Sequence, residues 1–438
     1  MRAVLERRAW TLRHNRTLET SIMETTAAAP NGRADWSLRY EVKAVFLLAL
    51  GYGLVGLDRN IIYPLFPVIA KELGMNYQDL GLISAVLSLC WGLASILTGR
   101  LSDRIGCKRV IVPAVIAFSL LVGGSGLATG MMSMVLLRAL MGVAEGAYVP
   151  ASIVATVEAS KPSRIGLNVG LQQMSAPLVG LGLGPLLAVG MLKMVPSWHW
   201  IFAIVAVPGF VIAVLLAKSL RADTPVAAAR SAQRSSWFDV LRYRNVVSGT
   251  LLMLCALSGL VVLSAFLPSY LTDHLHLGMD SMGLVLSALG VGCCVGVVVL
   301  PALSDRFGCK RVIVASLAGE VVGLWFLAQT GAEPVRLFVL LAIVTFLIAG
   351  VIGITVGPFA NESVPPELGA TATGMIVGLG EIIGGAVAPA VTGGIAQHAG
   401  IAVIMHIALG SAVLGLLVSA FGMRDPRRDF AARRAEAA

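Results

Sequence analysis

Four charged residues stand inside apolar stretches of the sequence, where an ionisable group is costly and is therefore a functional candidate. Asp58 and Arg59, followed by Asn60, interrupt the first apolar stretch, and Arg138 and Glu145 interrupt the fourth. Seven residues apart on a helix, Arg138 and Glu145 share one face and differ in height by about 10.5 Å. Asp58 and Arg59 lie roughly 100° apart around the helix of the first stretch, so one can face a cavity while the other reaches the fourth stretch. We therefore expect two acid–base sets that pair with each other and carry no net charge.

Such a set is suited to binding a proton and an anion together. A buried carboxyl group is ionised beside an arginine and takes up a proton when that arginine turns to an anion. Proton binding and anion binding then favour each other, which is the thermodynamic basis of symport. The alternative is that the four charges only lock the first and fourth helices together.

The elements that must hold these charges are membrane helices. Of 438 residues, 57% are hydrophobic and 13% are charged, about half the roughly 25% charged residues of an ordinary soluble domain. This composition excludes soluble, disordered and disulfide-scaffold proteins. At roughly 20 apolar residues per span, the sequence predicts an all-α membrane protein with 12 transmembrane helices, at Val42–Pro64, Leu80–Gly99, Val110–Ala128, Met132–Ala155, Gly166–Met191, Trp200–Ala217, Val246–Leu271, Met282–Leu303, Val312–Thr330, Leu337–Ala360, Thr371–Ala396 and Ile401–Gly422.

The basic residues predict the orientation of these spans. Of the 33 Lys and Arg residues, 28 fall on the side of the two termini and three on the opposite side. This asymmetry is typical of a protein with both termini in the cytoplasm, and an odd number of spans would scatter it. Because the basic residues are spread over six separate segments, they form no groove for nucleic acid.

An internal repeat divides the sequence into two halves. Residues 101–112 (LSDRIGCKRVIV) and 303–314 (LSDRFGCKRVIV) differ at one position in twelve, at an offset of 202. Three further positions recur at an offset of 204, namely Pro162, Gly170 and Pro185 as Pro366, Gly374 and Pro389. We predict two parallel six-helix bundles that enclose a central cavity and rock about it. The expected domains are a cytoplasmic tail (1–41), the first bundle (42–218), a cytoplasmic central loop (219–245), the second bundle (246–422) and a second cytoplasmic tail (423–438).

The repeated loop resembles the loop signature of the major facilitator superfamily. The two copies carry Gly99, Asp103, Arg104, Gly106, Lys108 and Arg109, and then Asp305, Arg306, Gly308, Lys310 and Arg311. They depart from the signature at Cys107 and Cys309, where a basic residue is usual, and at Pro301, which replaces the first glycine. The aspartate can face the amino end of a neighbouring helix, and the basic cluster can pair with carboxylates of the opposite half. We expect these contacts to bias one state of the rocking equilibrium; the alternative is a merely structural and orienting loop.

The charges inside the spans resemble those of the anion:cation symporter branch of that superfamily, which includes sugar-acid, hexuronate and phthalate permeases. The segments Leu267–Leu271 (LPSYL) and Ser197–Trp200 (SWHW) add to the likeness. The resemblance implies that Asp58 and Glu145 carry the proton. It also implies that Arg59 and Arg138 pair with them or hold the substrate carboxylate.

Other polar residues of the spans are weaker candidates for the substrate site. Gln172 and Gln173 of the fifth span can hydrogen-bond a substrate, or equally a neighbouring helix. Asn60, Tyr270 and Glu381 complete the expected site, Glu381 because it lies within a Gly-rich eleventh span. Glu320 is a poorer candidate because the ninth span is peripheral in the family.

The sequence thus predicts a proton-coupled symporter that takes up a small organic anion, such as a sugar acid or an aromatic acid, by alternating access. The alternatives are a proton-coupled efflux antiporter of drugs or amphiphiles, a Spinster-like lipid carrier, and a membrane sensor with the same fold. We expect that the protein is not an enzyme, that it uses the proton gradient and no cofactor, and that it has no metal site, because Walker, zinc and serine-elbow motifs are missing. The expected partners are the anion, protons and the lipid bilayer. The expected setting is a monomer in the bacterial cytoplasmic (inner) membrane.

Overall fold

The computed structural model of the protein describes residues 37–221, 239–365 and 368–424. Within these residues, twelve spans are long and apolar enough to cross a membrane, and no strand occurs. The bounds of their helices are Leu38–Asn60 and Ile62–Leu73 (span 1), Tyr77–Ile105 (span 2), Cys107–Ser125 (span 3), Met131–Ala159 (span 4), Ile165–Ala176, Pro177–Leu183 and Gly184–Leu192 (span 5), Trp198–Ser219 (span 6), Arg244–Ser269 and Tyr270–His274 (span 7), Met279–Phe307 (span 8), Cys309–Gln329 (span 9), Pro334–Ile354, Thr355–Phe359 and Ala360–Glu362 (span 10), Gly369–Leu379, Gly380–Val387 and Ala388–Ala399 (span 11), and Val403–Leu417 and Val418–Gly422 (span 12). The predicted all-helical membrane fold is confirmed.

The predicted spans coincide with the observed ones, and their ends agree within six residues except in span 1. That span was expected to end at Pro64, but its second helix begins at Ile62 and continues to Leu73. Pro64 stands in the first turn of this second helix, where its missing N–H is not needed. The proline therefore breaks span 1 rather than ending it.

Five of the described spans contain a segment of wider, π-helical turn. These segments are Pro177–Leu183, Tyr270–His274, Thr355–Phe359, Gly380–Val387 and Val418–Gly422. Four of them hold a proline or lie within two residues of one, at Pro177, Pro268, Pro358 and Pro389. A proline cannot donate the usual helical hydrogen bond, and π-helical turns are frequent at functional sites.

The two halves repeat one packing scheme. Span 2 packs on span 4 in the first half, and span 8 packs on span 10 in the second. Among the described residues, the two most extensive contacts between the halves are span 2 on span 11 and span 5 on span 8, which we name the 2–11 interface and the 5–8 interface. Each interface contains one of the π-helical segments described above, Gly380–Val387 in span 11 and Pro177–Leu183 in span 5.

Hydrogen bonds join the two halves at the end of the molecule away from the repeated loops. The Tyr77 hydroxyl donates to Asp273 Oδ2 at 2.8 Å, and the Tyr77 N–H donates to Gln397 Oε1 at 3.2 Å. Lys193 of the first half forms an ion pair with Asp280 of the second. Glycines allow this closeness, since a Cβ on Gly81 would lie 2.4 Å from the carbonyl oxygen of Pro389. The halves are therefore in direct contact at this end.

Candidate functional site

The break in span 1 positions the first charge pair. Asp58 and Arg59 lie in the last turn of the helix that ends at Asn60, and Pro64 leaves the Asn60 carbonyl without its usual helical donor. The Asn60 side chain folds back on its own helix and donates to the Gly56 carbonyl at 2.8 Å. Asn60 is thus placed beside the charges with its amide group bonded to the backbone.

Arg138 of span 4 binds the end of that helix. Its side chain is 1% exposed, and its Nη1 donates to the carbonyl oxygens of Asp58 and Arg59 at 3.1 and 3.3 Å. Carbonyls at the carboxyl end of a helix carry partial negative charge and attract a cation. Its Nε and Nη2 have no hydrogen-bond partner among the described residues. Arg138 therefore joins spans 1 and 4 with donors still unused.

The two predicted proton carriers are buried next to this arginine. Asp58 is 2% exposed and Glu145 is 0% exposed. Within the described part of the chain, Asp58 Oδ1 and both carboxylate oxygens of Glu145 lack a hydrogen-bond partner. The expected side-chain pairing of the four charges is therefore not found. The physical reason is that Arg138 uses its donor on backbone carbonyls, while Arg59 points to the other half.

Arg59 forms its ion pair across the 2–11 interface. Its Nη2 donates to Ser88 Oγ of span 2 at 2.8 Å and to Glu381 Oε2 of span 11 at 3.3 Å. The guanidinium carbon lies 6.0 Å from the centre of the Trp91 ring, within the range of a cation–π contact. The Arg59 and Glu381 side chains are 19% and 13% exposed, more than the buried charges of spans 1 and 4. This pair is thus the most exposed part of the charged cluster.

Small residues make room for the pair between spans 2 and 11. A Cβ on Gly385 would lie 2.9 Å from Glu381 Oε2 and 3.3 Å from the Ser88 Cβ. Glu381 and Gly385 are four residues apart, which places them on the same face of span 11. The glycine therefore provides the space in which the Glu381 carboxylate meets Arg59.

Among the described residues, no hydrogen bond joins the remaining predicted substrate residues to this pair. Gln172 is buried and its Nε2 donates to Ser152 Oγ of span 4 at 2.8 Å, which is the helix–helix contact named as an alternative. Gln173 is half-buried on the same helix. Tyr270 is 3% exposed, and its ring centre lies 5.1 Å from that of His274, one turn along span 7. The poorer candidate Glu320 is 1% exposed in span 9, and its Oε2 has no partner among the described residues.

The two repeated loops have the same conformation and the same lysine contact. Gly106 and Gly308 have φ of 94° and 90°, in a region that favours glycine. Lys108 Nζ donates to the Leu220 carbonyl just after span 6, at 2.8 Å. Lys310 Nζ donates to the carbonyls of Ala420 and Met423 at the end of span 12, at 2.9 and 2.8 Å. These contacts stay within each half, because free carbonyls at a helix end attract a cation. The pairing of the basic cluster with carboxylates of the opposite half stays a prediction.

The other loop residues are arranged at the surface. Arg109, Asp305, Arg306 and Arg311 are exposed, and the Arg306 guanidinium lies 5.7 Å from the ring centre of the adjacent Phe307. For three further predicted loop residues, the described part covers the helical backbone alone, namely Gly99, Asp103 and Arg104.

Three residues of the charged cluster carried no signal in the sequence. Ser88, Trp91 and Gly385 are uncharged residues of ordinary membrane helices. The three-residue spacing of Ser88 and Trp91 puts them on one helix face, but which face meets Arg59 depends on packing between distant spans.

Similarity to known proteins decides the family of this chain. The sequence model of the family described as "Major Facilitator Superfamily" matches residues 48–278 and again residues 249–437, so that both halves are covered. The chain belongs to the Major Facilitator Superfamily. It is a multi-pass membrane transporter and not an enzyme.

Two relatives and one solved structure are similar to this chain. The sialic acid transporter NanX of Escherichia coli (strain K12) is 25% identical over 394 residues, which are 86% of this chain and 93% of NanX. The hexuronate transporter of Bacillus subtilis (strain 168) is 26% identical over 241 residues, 52% of this chain and 56% of that protein. The crystal structure of a bacterial homolog of the human lysosomal transporter Spinster, inward-facing and unoccupied, has a TM-score of 0.72 at 16% identity. It covers 88% of this chain and 96% of that one, and the likeness concerns the fold.

Proposed function

We propose that this transporter is a proton-coupled symporter that takes up a small organic anion, in the first place a sugar acid, by alternating access. The observation that carries the proposal is the charged cluster at membrane depth. It combines a partly exposed arginine, Arg59, with buried carboxyl groups that have unpartnered oxygens, Asp58 and Glu145. Charges inside a membrane are expensive and mark substrate and proton pathways.

Arg59 is the proposed anion site. Its guanidinium is partly exposed, and a planar guanidinium matches the two oxygens of a carboxylate. The names of two relatives, a sialic acid transporter and a hexuronate transporter, refer to sugar acids, each of which carries one carboxylate. The anion class is therefore supported by two independent observations, the arginine in the site and the names of the relatives.

Glu145 and Asp58 are the proposed proton carriers. A buried charge is costly unless it is paired, and the Glu145 oxygens have no hydrogen-bond partner in the described part. Taking up a proton removes that cost. A substrate anion drawn to the arginines adds a negative charge that the proton offsets, so binding of the two is mutually favourable.

The contacts between the halves support alternating access. At the end away from the repeated loops, Tyr77, Asp273 and Gln397 hold the halves together. Rocking of one bundle against the other breaks such contacts on one side of a central site and forms others on the opposite side.

The orientation and the division of the chain follow from the basic residues. In the proposed setting, the bacterial inner membrane, the two repeated loops and both termini face the cytoplasm, as the excess of Lys and Arg on that side supports. The proposed bundles are residues 42–218 and 246–422 of a monomer. A single cysteine placed at Lys108 or at Lys193 would test the orientation. A thiol reagent that does not cross membranes should label the cysteine at position 193 from outside and should not label the one at position 108.

Uptake by the purified protein tests the function. In proteoliposomes with an acidic outside, wild-type protein should accumulate D-glucuronate or N-acetylneuraminate, and a protonophore should abolish the accumulation. Glu145→Gln should reduce accumulation at least tenfold while exchange of internal for external substrate persists, because exchange needs no net proton movement. Glu320→Gln is the matched control, since Glu320 is also a buried carboxyl group with an unpartnered oxygen but lies in span 9. Accumulation that is insensitive to the proton gradient, or unchanged in Glu145→Gln, would contradict the proposal.

A further inference from the structure

We propose that Glu381 is an internal competitor for the anion site: its carboxylate occupies Arg59 while the carrier is empty, and the carboxylate of the substrate displaces it. The inference rests on the proposed function, in which Arg59 receives the substrate anion. It assigns to Glu381 control over substrate affinity and over the return of the empty carrier.

The geometry places the two anions in competition for one group. Arg59 Nη2 donates both to Ser88 Oγ, at 2.8 Å, and to Glu381 Oε2, at the longer distance of 3.3 Å. Both partners of the ion pair are partly exposed, at 19% and 13%, unlike the fully buried charges of spans 1 and 4. A carboxylate from solution would therefore meet an arginine that already holds a carboxylate.

The same pair also ties the two halves together. Arg59 belongs to span 1 of the first half and Glu381 to span 11 of the second, 322 residues apart in the chain. When the substrate replaces Glu381 on Arg59, this direct tie is lost. Substrate binding thus changes a contact that depends on the relative position of the halves, which is what a coupling contact requires.

Without Glu381, the empty carrier would hold Arg59 without an anionic partner. An unpaired charge at membrane depth is unfavourable, so the empty carrier would be destabilised relative to the loaded one. Substrate would then bind more tightly, and the step in which the empty carrier changes its open side would slow down. Exchange, in which the carrier returns loaded, avoids that step.

Two variants remove the competition by different routes. Glu381→Gln removes the charge and keeps the shape of the side chain. Gly385→Ala keeps the carboxylate but adds a methyl group 2.9 Å from Glu381 Oε2, so that the carboxylate must move away from Arg59. Gly394→Ala is the matched control on the same span, because a Cβ there meets nothing within 4 Å, and Glu320→Gln is the control for loss of a carboxyl group.

The experiment compares two modes of D-glucuronate transport in proteoliposomes. One is net uptake driven by a proton gradient, and the other is exchange of labelled external for unlabelled internal D-glucuronate. In Glu381→Gln, the half-saturating concentration in exchange should fall about tenfold, the change expected when a competing hydrogen bond between charged groups is lost. Net uptake should fall about tenfold while the maximal exchange rate is kept. Gly385→Ala should change in the same direction, and both controls should behave as the wild type.

The outcomes separate this inference from the proposed function. An unchanged half-saturating concentration in Glu381→Gln, or an equal loss of net uptake and exchange, would overturn the role of Glu381 while leaving wild-type symport intact. A wild-type protein that exchanges neither D-glucuronate nor N-acetylneuraminate would overturn the sugar-acid assignment of the proposed function, and the competitor role with it.

Discussion

The 5–8 and 2–11 interfaces occupy equivalent places in the two repeats, and they differ in chemistry. At the 5–8 interface the backbones of Gly182 and Gly290 touch, since a Cβ on Gly290 would lie 2.1 Å from the Gly182 nitrogen. At the 2–11 interface the corresponding region holds Ser88 and the Arg59–Glu381 ion pair. Both contain a π-helical segment, so the backbone framework is shared.

The repeat offsets identify the positions at which the two interfaces diverged. At an offset of 202, Ser88 corresponds to Gly290, and at an offset of 204, Glu381 corresponds to Pro177. One interface therefore packs backbone against backbone, which suits a fixed contact. The 2–11 interface has polar side chains at the positions where the backbones touch in the 5–8 interface. Such a polar contact can change when a ligand binds. Duplication thus supplied the scaffold twice, while the Arg59–Glu381 pair stands at the 2–11 interface, and the charged pair of the 5–8 interface, Lys193 and Asp280, lies at the end of the spans.

The largest expected effect comes from breaking the glycine contact. Gly290→Ala places a methyl group 2.1 Å from one backbone atom of Gly182 and 2.3 Å from another, so the helices must separate. Overpacking of this kind costs about 1–3 kcal/mol, and we expect a lower apparent melting temperature in detergent, with or without D-glucuronate. Gly278→Ala, at the start of the same span, meets nothing within 4 Å and is the control. Equal melting temperatures of the two variants would remove the distinction between the interfaces.

A smaller effect is expected from making the polar interface resemble the other one. Ser88→Gly introduces the residue type of the equivalent position 290 and removes the 2.8 Å hydrogen bond to Arg59. Loss of such a bond costs about 1 kcal/mol, so the half-saturating concentration for D-glucuronate exchange should change about fivefold, with a small loss of thermal stability. Ser95→Gly is the control, since its hydroxyl donates to Gly92 of its own helix. A change in stability without a change in affinity would assign Ser88 to packing.

The smallest effect is expected where the two halves have stayed alike. Lys310→Met removes the donor to the Ala420 and Met423 carbonyls, and contacts of a cation with a helix end contribute about 0.3–1 kcal/mol. We expect a small loss of thermal stability and unchanged exchange kinetics. Arg311→Met removes the same charge from an exposed neighbour and should leave stability unchanged. A loss of transport in Lys310→Met with stability intact would support the switching role first expected of this loop.

The sequence was sufficient for the framework and for the identity of the charges. Apolar length placed all twelve spans, and the cost of buried charge singled out Asp58, Arg59, Arg138 and Glu145. The expected pairing among these four charges was wrong because Arg138 donates to backbone carbonyls at the helix break rather than to a carboxylate. Pro64 shows in the sequence where the helix breaks, but it does not show which donor binds the carbonyls at the break. Glu381 was recognised as a candidate, but its partner lies 322 residues away and depends on how span 11 is rotated.

The break in span 1 gives the first half two pieces with separate attachments. Before Ile61, the carbonyls of Asp58 and Arg59 are bound by Arg138. After it, the helix Ile62–Leu73 is attached elsewhere, since the Trp198 indole donates to Glu72 at 2.7 Å. Pro64 has already removed a helical hydrogen bond at this joint, so a tilt of the second piece against the first requires few further bonds to break. The joint is therefore a place where a membrane helix can bend at low enthalpic cost, within one turn of Arg59, the proposed anion site.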